Sequence, residues 1–152
     1  GHKYAAGLKI KKSKFNNFKN QFEDIVKDSV GQTMFKRSFS YDLLIDFSKL
    51  TIENIKIIQR MAPFGLGNKR PVFRTNNCFI DSKLKFLGKD QQIVKSIIKD
   101  EYETKLSFIC FNKKSDLVGL KSPFDILYNV NLNTFSGQET VELTIRELYI
   151  KK

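Results

Sequence analysis

Apolar side chains recur at helical spacing from Phe15 onward: Phe15, Phe18, Phe22, Ile25 and Val26 make one stripe, while Lys14, Lys19, Glu23, Asp24 and Lys27 fall on other faces. This predicts an amphipathic helix. Ser13 is a candidate N-cap, because its hydroxyl can accept from an unpaired first-turn amide, and Gly31 is a candidate C-cap. Upstream, Leu8-Lys9-Ile10 reads as a short strand entered through Gly7. Between Ser40 and Phe47, Tyr41, Leu43, Ile45 and Phe47 alternate against Asp42 and Asp46, which predicts a strand. Thr51 then caps a second helix carrying Ile52, Ile55, Ile58 and Met61, with Glu53 favourable in its first turn. Pro63 ends that helix, since the residue before a proline is pushed out of helical geometry.

After Gly65-Leu66-Gly67-Asn68 the texture changes from helical to short strands. Strands are predicted over 78–87, 92–100 and 104–111, separated by Gly88-Lys89-Asp90 and by Glu101-Tyr102-Glu103. Residues 112–121 suit a short helix or turn. Ile126, Tyr128, Val130 and Leu132 alternate with Asp125, Asn129 and Asn131 in the next strand, and 133–137 reads as a turn. Val141, Leu143 and Ile145 open a final strand; Leu148 and Ile150 are out of phase with them, which predicts a bulge. Three strands, a short helical connection and two more strands is the order of an OB-fold. An SH3-like barrel or an open meander gives similar periodicity, so pattern alone leaves the three open.

The chain's 152 residues suffice for one ordinary domain or a small domain plus a fragment, and 41% hydrophobic residues suffice for a core. A net charge of +11 changes the picture more, because it favours an anionic partner: each lysine placed on a phosphate releases condensed counterions. The bland alternative is a lysine-rich solubilising surface. A membrane partner is not expected: no apolar run approaches the roughly 20 residues of a span, and no basic amphipathic segment is long enough to anchor. Cys78 and Cys110 lie apart, outside any CxxC or Cys/His cluster, and read as buried reduced thiols of a cytoplasmic protein. No signal peptide is expected. The chain opens on Gly1-His2 without a methionine and is expected to be cut from something longer.

Two motifs carry a family resemblance. Gly1-His2-Lys3-Tyr4-Ala5-Ala6-Gly7 resembles the GGHxxAAG signature of the DHH-associated domain in DHH-family phosphoesterases, without its leading glycine. The segment from Met61-Ala62-Pro63-Phe64-Gly65-Leu66-Gly67-Asn68 to Lys69-Arg70-Pro71-Val72-Phe73 resembles the stretch joining that domain to the OB domain in the RecJ family. Ala62 stands where an acidic residue is common and Lys69 where a proline is common. Phe86-Leu87-Gly88-Lys89, the Tyr128 to Gly137 hairpin and Leu143 to Leu148 are similar to that family's OB domain too. The resemblance spans essentially the whole chain. It implies an α+β chain: a partial α/β fragment of the DHH-associated domain over 1–62, a junction over 63–73, and an all-β five-stranded OB-fold barrel over 74–152.

The resemblance further implies the strand-holding part of an exonuclease that degrades single-stranded DNA from the five-prime end in repair and recombination. His2 would donate to a phosphate in a loop where Gly1, Ala6 and Gly7 let backbone approach the substrate; simple packing is the alternative for the small residues. Lys69, Arg70 and Arg74 would line the strand's path, although the junction itself reads as a rigid connector. OB-folds bind single strands on their second and third strands and on flanking loops. Those positions fall on Lys85, Lys89, Lys95 and Lys105, and on Phe135, which either stacks on a base or folds over the barrel end. Phe79, Phe86, Phe108 and Phe124 read as core.

No catalytic residue and no metal site are expected in this segment. One histidine and the scattered Asp24, Asp42, Asp46 and Asp81 do not make a two-metal centre. Mn2+ or Mg2+ is implied only for the parent enzyme, bound in the DHH domain this sequence does not include. The implied partners are single-stranded DNA, that DHH domain, and a single-strand-binding protein or helicase. Two other readings stand beside this one: an OB module that docks a protein with little DNA affinity of its own, and the tail of a small-oligonucleotide or cyclic-dinucleotide phosphodiesterase.

Overall fold

The structure, a computed structural model, describes residues 5–29, 39–135 and 137–150, with backbone alone for Lys114, Phe135 and Ile150. The chain divides into two compact units, Gly1–Phe39 and Ser40–Lys152.

In the first unit the apolar stripe forms the expected helix, α1 (Phe15–Ser29). A 3-10 turn at Lys12–Lys14 leads into it, closed by the Lys14 amide on the Lys11 carbonyl (2.9 Å), so Ser13 sits inside this turn and does not cap the helix. Phe18 and Phe22 stack at 5.7 Å. Residues 8–10, expected as a strand, have no regular secondary structure. Gly31, Gly1 and His2 lie outside the described residues.

The second unit holds β1 (Leu43–Leu44), α2 (Ile52–Gln59), β2 (Phe73–Ile80), β3 (Lys85–Leu87), β4 (Ile93–Lys99), β5 (Lys105–Phe111), α3 (Lys114–Leu117), β6 (Phe124–Phe135) and β7 (Gln138–Ile150). They form a mixed seven-stranded sheet in the order β1-β2-β6-β7-β5-β4-β3. A further antiparallel pairing of β2 with β4, Phe79 against Lys99 and Ile80 against Ile98, returns the ladder to β2. The pairings β2–β6, β6–β7, β7–β5, β5–β4 and β4–β2 therefore make a circuit. Two neighbouring pairs in the order are parallel, β1 with β2 and β5 with β7.

Alternation decides which side chains enter the core. Val94 and Ile98 of β4, Phe108 and Cys110 of β5, Ile126, Tyr128 and Val130 of β6 and Leu143 and Ile145 of β7 are all buried. Phe108 and Phe124 are core, as expected, and Phe86 packs partly against it. Phe79 instead faces out from β2, its ring 6.0 Å from the Lys99 ammonium. The expected bulge is present: Leu127 pairs with Glu147 but Tyr128 with Ile145, so Arg146 is the extra residue that shifts the inward phase to Leu148.

Three further expectations change. The strand predicted over 40–47 is only two residues long, because Phe47 turns into the core and its amide donates to the buried Asp100 carboxylate at 3.0 Å. The strand predicted over 78–87 is two strands: the Ser82 and Ser96 hydroxyls meet at 2.9 Å where the chain turns between β2 and β3. The turn predicted over 133–137 is shorter, since the ladder runs on through Asn133–Thr140 and Thr134–Glu139 to Phe135–Gln138, leaving Gly137 at φ 79°. Residues 40–62 lie in the second unit. The parallel β1–β2 pairing and burial of Phe47, Leu50 and Ile55 in the sheet's own core hold them there.

Candidate nucleic-acid interface

The outer face of β3, β4 and β5 follows from the same alternation. With Val94, Ser96 and Ile98 turned in, Lys95, Ile97 and Lys99 turn out; with Phe108 and Cys110 turned in, Lys105, Ser107, Ile109 and Phe111 turn out. Register then sets the rows. Leu87, Ile93 and Phe111 align across β3–β4–β5, and Lys85, Lys95 and Ile109 align beside them. Ile97 faces Ser107, and Lys99 faces Lys105. Lysines thus alternate with uncovered apolar groups: Leu87, Ile97 and Phe111 are 44%, 39% and 48% exposed.

Directly opposed like charges destabilise a strand pair, and this sheet has two such pairs, Lys85–Lys95 and Lys99–Lys105. Anions from neighbouring segments offset them. Lys95 Nζ reaches Glu142 of β7 at 2.9 Å, Lys105 reaches Asp81 at 2.9 Å, and Lys99 reaches Glu103 at 2.7 Å, which raises the Lys99 pKa above its ordinary value. Lys85 is exposed and makes no ion pair among the described residues. Lys89 is exposed in the turn after β3, where Gly88 takes φ 84°, a conformation that costs a glycine little.

The other sequence-predicted residues fall elsewhere. Arg74 lies on β2 between β1 and β6, bonded to Asp125 at 2.8 Å and Asn76 at 2.9 Å, and set over the Tyr41 ring at 5.4 Å. The Asp125 bond holds its guanidinium pKa above the ordinary value. Arg70 stacks on Phe64 at 5.0 Å and donates to Asn131 of β6. Lys69 is exposed beside a tight turn in which Gly65 and Asn68 exchange backbone bonds and the Asn68 amide donates to the Met61 and Pro63 carbonyls at 2.8 and 2.9 Å. Ala6 and Gly7 are exposed in the first unit. Phe135 ends β6.

The structure thus brings Lys85 and Lys95 together on one face and sets Lys105 beside Lys99. Sequence reasoning missed Leu87, Ile97, Lys99 and Phe111. Their signal was strand parity: once Phe108 and Cys110 are taken as core, Phe111 must face out with Lys105.

Among the described residues no group of three or more His, Cys, Asp or Glu side chains could hold a metal ion. Both cysteines are buried and free; burial pushes both thiols up, Cys110 to about 11. No helix among the described residues is long and apolar enough to cross a membrane.

The chain is 23% identical over its full length to the single-stranded-DNA-specific exonuclease RecJ of Bacillus subtilis, covering 19% of that protein. It is 22% identical over 95% of its length to the enzyme of the same name from Haemophilus influenzae, covering 25% of it. The chain therefore spans about a fifth to a quarter of these relatives. The crystal structure of Thermus thermophilus RecJ in complex with Mn2+ superposes with a TM-score of 0.67 at 20% identity, covering all of this chain and 22% of that one. The Mg2+ complex gives 0.60 at 18% identity over 94% of this chain and 21% of that one. These structural likenesses show the fold alone. A family model described as the RecJ OB domain matches residues 41–147, well over half of the chain, and the chain belongs to that family.

Proposed function

We propose that this chain is the strand-holding part of a RecJ-like exonuclease, and that single-stranded DNA lies on the outer face of β3, β4 and β5. The observation that carries this reading is the interleaving of Lys85, Lys95, Lys99 and Lys105 with exposed Leu87, Ile97 and Phe111 on that one face. Lysines track phosphates while apolar and aromatic groups take bases, the combination that suits a single strand. The circuit of β2, β4, β5, β7 and β6 supports reading the sheet as a five-stranded OB barrel with β1 and β3 appended. Lys69, Arg70 and Lys89, with Gly1, His2, Ala6, Gly7 and Phe135, are proposed as further contacts on the strand's path. Arg74 is the weakest of the set, since Asp125 already holds its guanidinium.

Hydrolysis is proposed for the parent protein, in its DHH domain with Mn2+ or Mg2+, in DNA repair and recombination in the cytoplasm. In this reading the segment binds and does not cut. The test is titration of a single-stranded oligonucleotide into the chain at several salt concentrations. Binding should weaken linearly in log–log form with a slope of about −0.7 per phosphate contact. Phe111→Ala should cost about 1 kcal/mol of affinity if its ring stacks on a base. Absence of binding at low salt refutes the role. Adding Mn2+ should produce no degradation of the oligonucleotide, and robust degradation would contradict the division of labour.

A second reading, a protein-docking module, is favoured by one feature. A largely apolar groove of about 330 Å³ lies between β1 and α2, lined by Leu43, Ile45, Ile57, Ile58, Pro71 and Phe73 among others. A module of that kind would show weak oligonucleotide binding that Phe111→Ala leaves unchanged.

A further inference from the structure

Glu142 is the acidic side chain of β7 that pairs with a lysine of the basic face, while Glu139 pairs with Lys56. Its side chain is 15% exposed, and its carboxylate accepts from Lys95 Nζ at 2.9 Å and is approached by the Asn133 amide at 3.5 Å. Register places it opposite Ser107 of β5, which in turn faces Ile97 of β4, so the carboxylate lies in line with the uncovered apolar group of that row. Lys95 itself is opposed across the ladder to Lys85. In the free protein, then, Glu142 offsets a repulsive lysine pair and draws the Lys95 ammonium toward β7.

We propose that Glu142 is an internal counter-ion that competes with a phosphate for Lys95, and so sets both the affinity and the seating of a single strand on this face. The proposal rests on the interface reading given under Proposed function. A phosphate approaching Lys85 and Lys95 finds the Lys95 ammonium held by the carboxylate, which withholds that contact in the parent chain and repels any phosphate nearer β7. The sugar–phosphate backbone is thereby confined to the β3–β4 side, with bases turned toward Ile97, Ile109 and Phe111. Glu142 acts through Lys95 and on where the strand runs; it is a positioning residue.

Salt-dependent oligonucleotide binding by the whole chain and its variants tests this. Glu142→Gln preserves shape and the Asn133 contact but releases Lys95. Affinity should rise roughly two- to fivefold, the size of one solvent-screened ion pair, and the salt slope should steepen by about 0.7, one additional phosphate contact. Glu142→Asp, which only draws the carboxylate back, should shift affinity in the same direction by less. The gain must vanish in the Glu142→Gln, Lys95→Gln double variant. Unchanged or weaker binding by Glu142→Gln, an unchanged slope, or a gain that survives loss of Lys95 overturns the counter-ion role while leaving the interface standing. Failure of both the parent chain and Glu142→Gln to bind at low salt removes the interface itself, and the proposal with it.

Discussion

Asp100 does more for the fold than its place in a polar turn suggests. It is 1% exposed, and its carboxylate accepts from three backbone amides: Phe47 at 3.0 Å, Tyr102 at 3.1 Å and Thr104 at 2.9 Å. One side chain thus closes the β4–β5 turn and pins the segment that leads from β1 into α2. Asp100→Ala leaves those amides without their acceptor and should destabilise the second unit by about 3 kcal/mol, read as a lower urea midpoint. None of this was legible in the sequence, where Asp100 closes a predicted strand and its Phe47 partner is 53 positions away. The cysteines were legible, because apolar neighbours and the absence of partner ligands already implied buried thiols. Their pH behaviour follows from burial. Cys110 ionises near 9.0 when free and near 11 when folded, so the folded state holds the proton more tightly. Its contribution to stability is complete below pH 9, and falls as pH rises from there through about 11. At pH 8 both thiols should resist alkylation in the folded chain and react once it is unfolded, because the thiolate is the nucleophile.

At the scale of elements, the helices and most strands read correctly, while the strands predicted over 40–47 and 78–87 did not. Helix α2 starts where Thr51 predicts, its hydroxyl accepting from the Asn54 amide at 3.2 Å, and Thr51→Ala should cost about 1 kcal/mol in a thermal or urea melt. The β7 bulge at Arg146 was visible because hydrophobic phase is conserved on each side of it and shifts across it. The β1 and β2–β3 regions failed for a different reason. Alternation of Tyr41, Leu43, Ile45 and Phe47 imitates a half-buried strand, yet only Phe47 is buried, while Tyr41 and Leu43 are 41% and 50% exposed. Tertiary bonds from Asp100 and from the Ser82–Ser96 contact decide where those strands stop, and local pattern does not contain them. The lysines of the candidate face were identifiable as basic residues on strands. Their partners Glu142 and Asp81 were not, because a pair such as Lys95–Glu142 joins residues 47 positions apart through strand order.

For the molecule as a whole, a charge of +11 becomes informative only once it is distributed. Arg74, Lys95, Lys99, Lys105 and Lys113 are each held by a carboxylate, so these five cations are not immediately available to a polyanion. Lys85, Lys89 and Lys69 remain exposed. Binding to a polyanion should therefore be moderate and strongly salt-dependent, with part of its cost spent on exchanging internal carboxylates for phosphates. The central claim, that the β3–β4–β5 face holds a single strand, is tested most directly by measuring oligonucleotide affinity against salt for the chain and for Lys85→Gln. The account predicts binding at low salt and a slope shallower by about 0.7 in the variant, the loss of one phosphate contact. Binding with an identical slope in both would place the strand on another face, and no binding at low salt would contradict the account altogether.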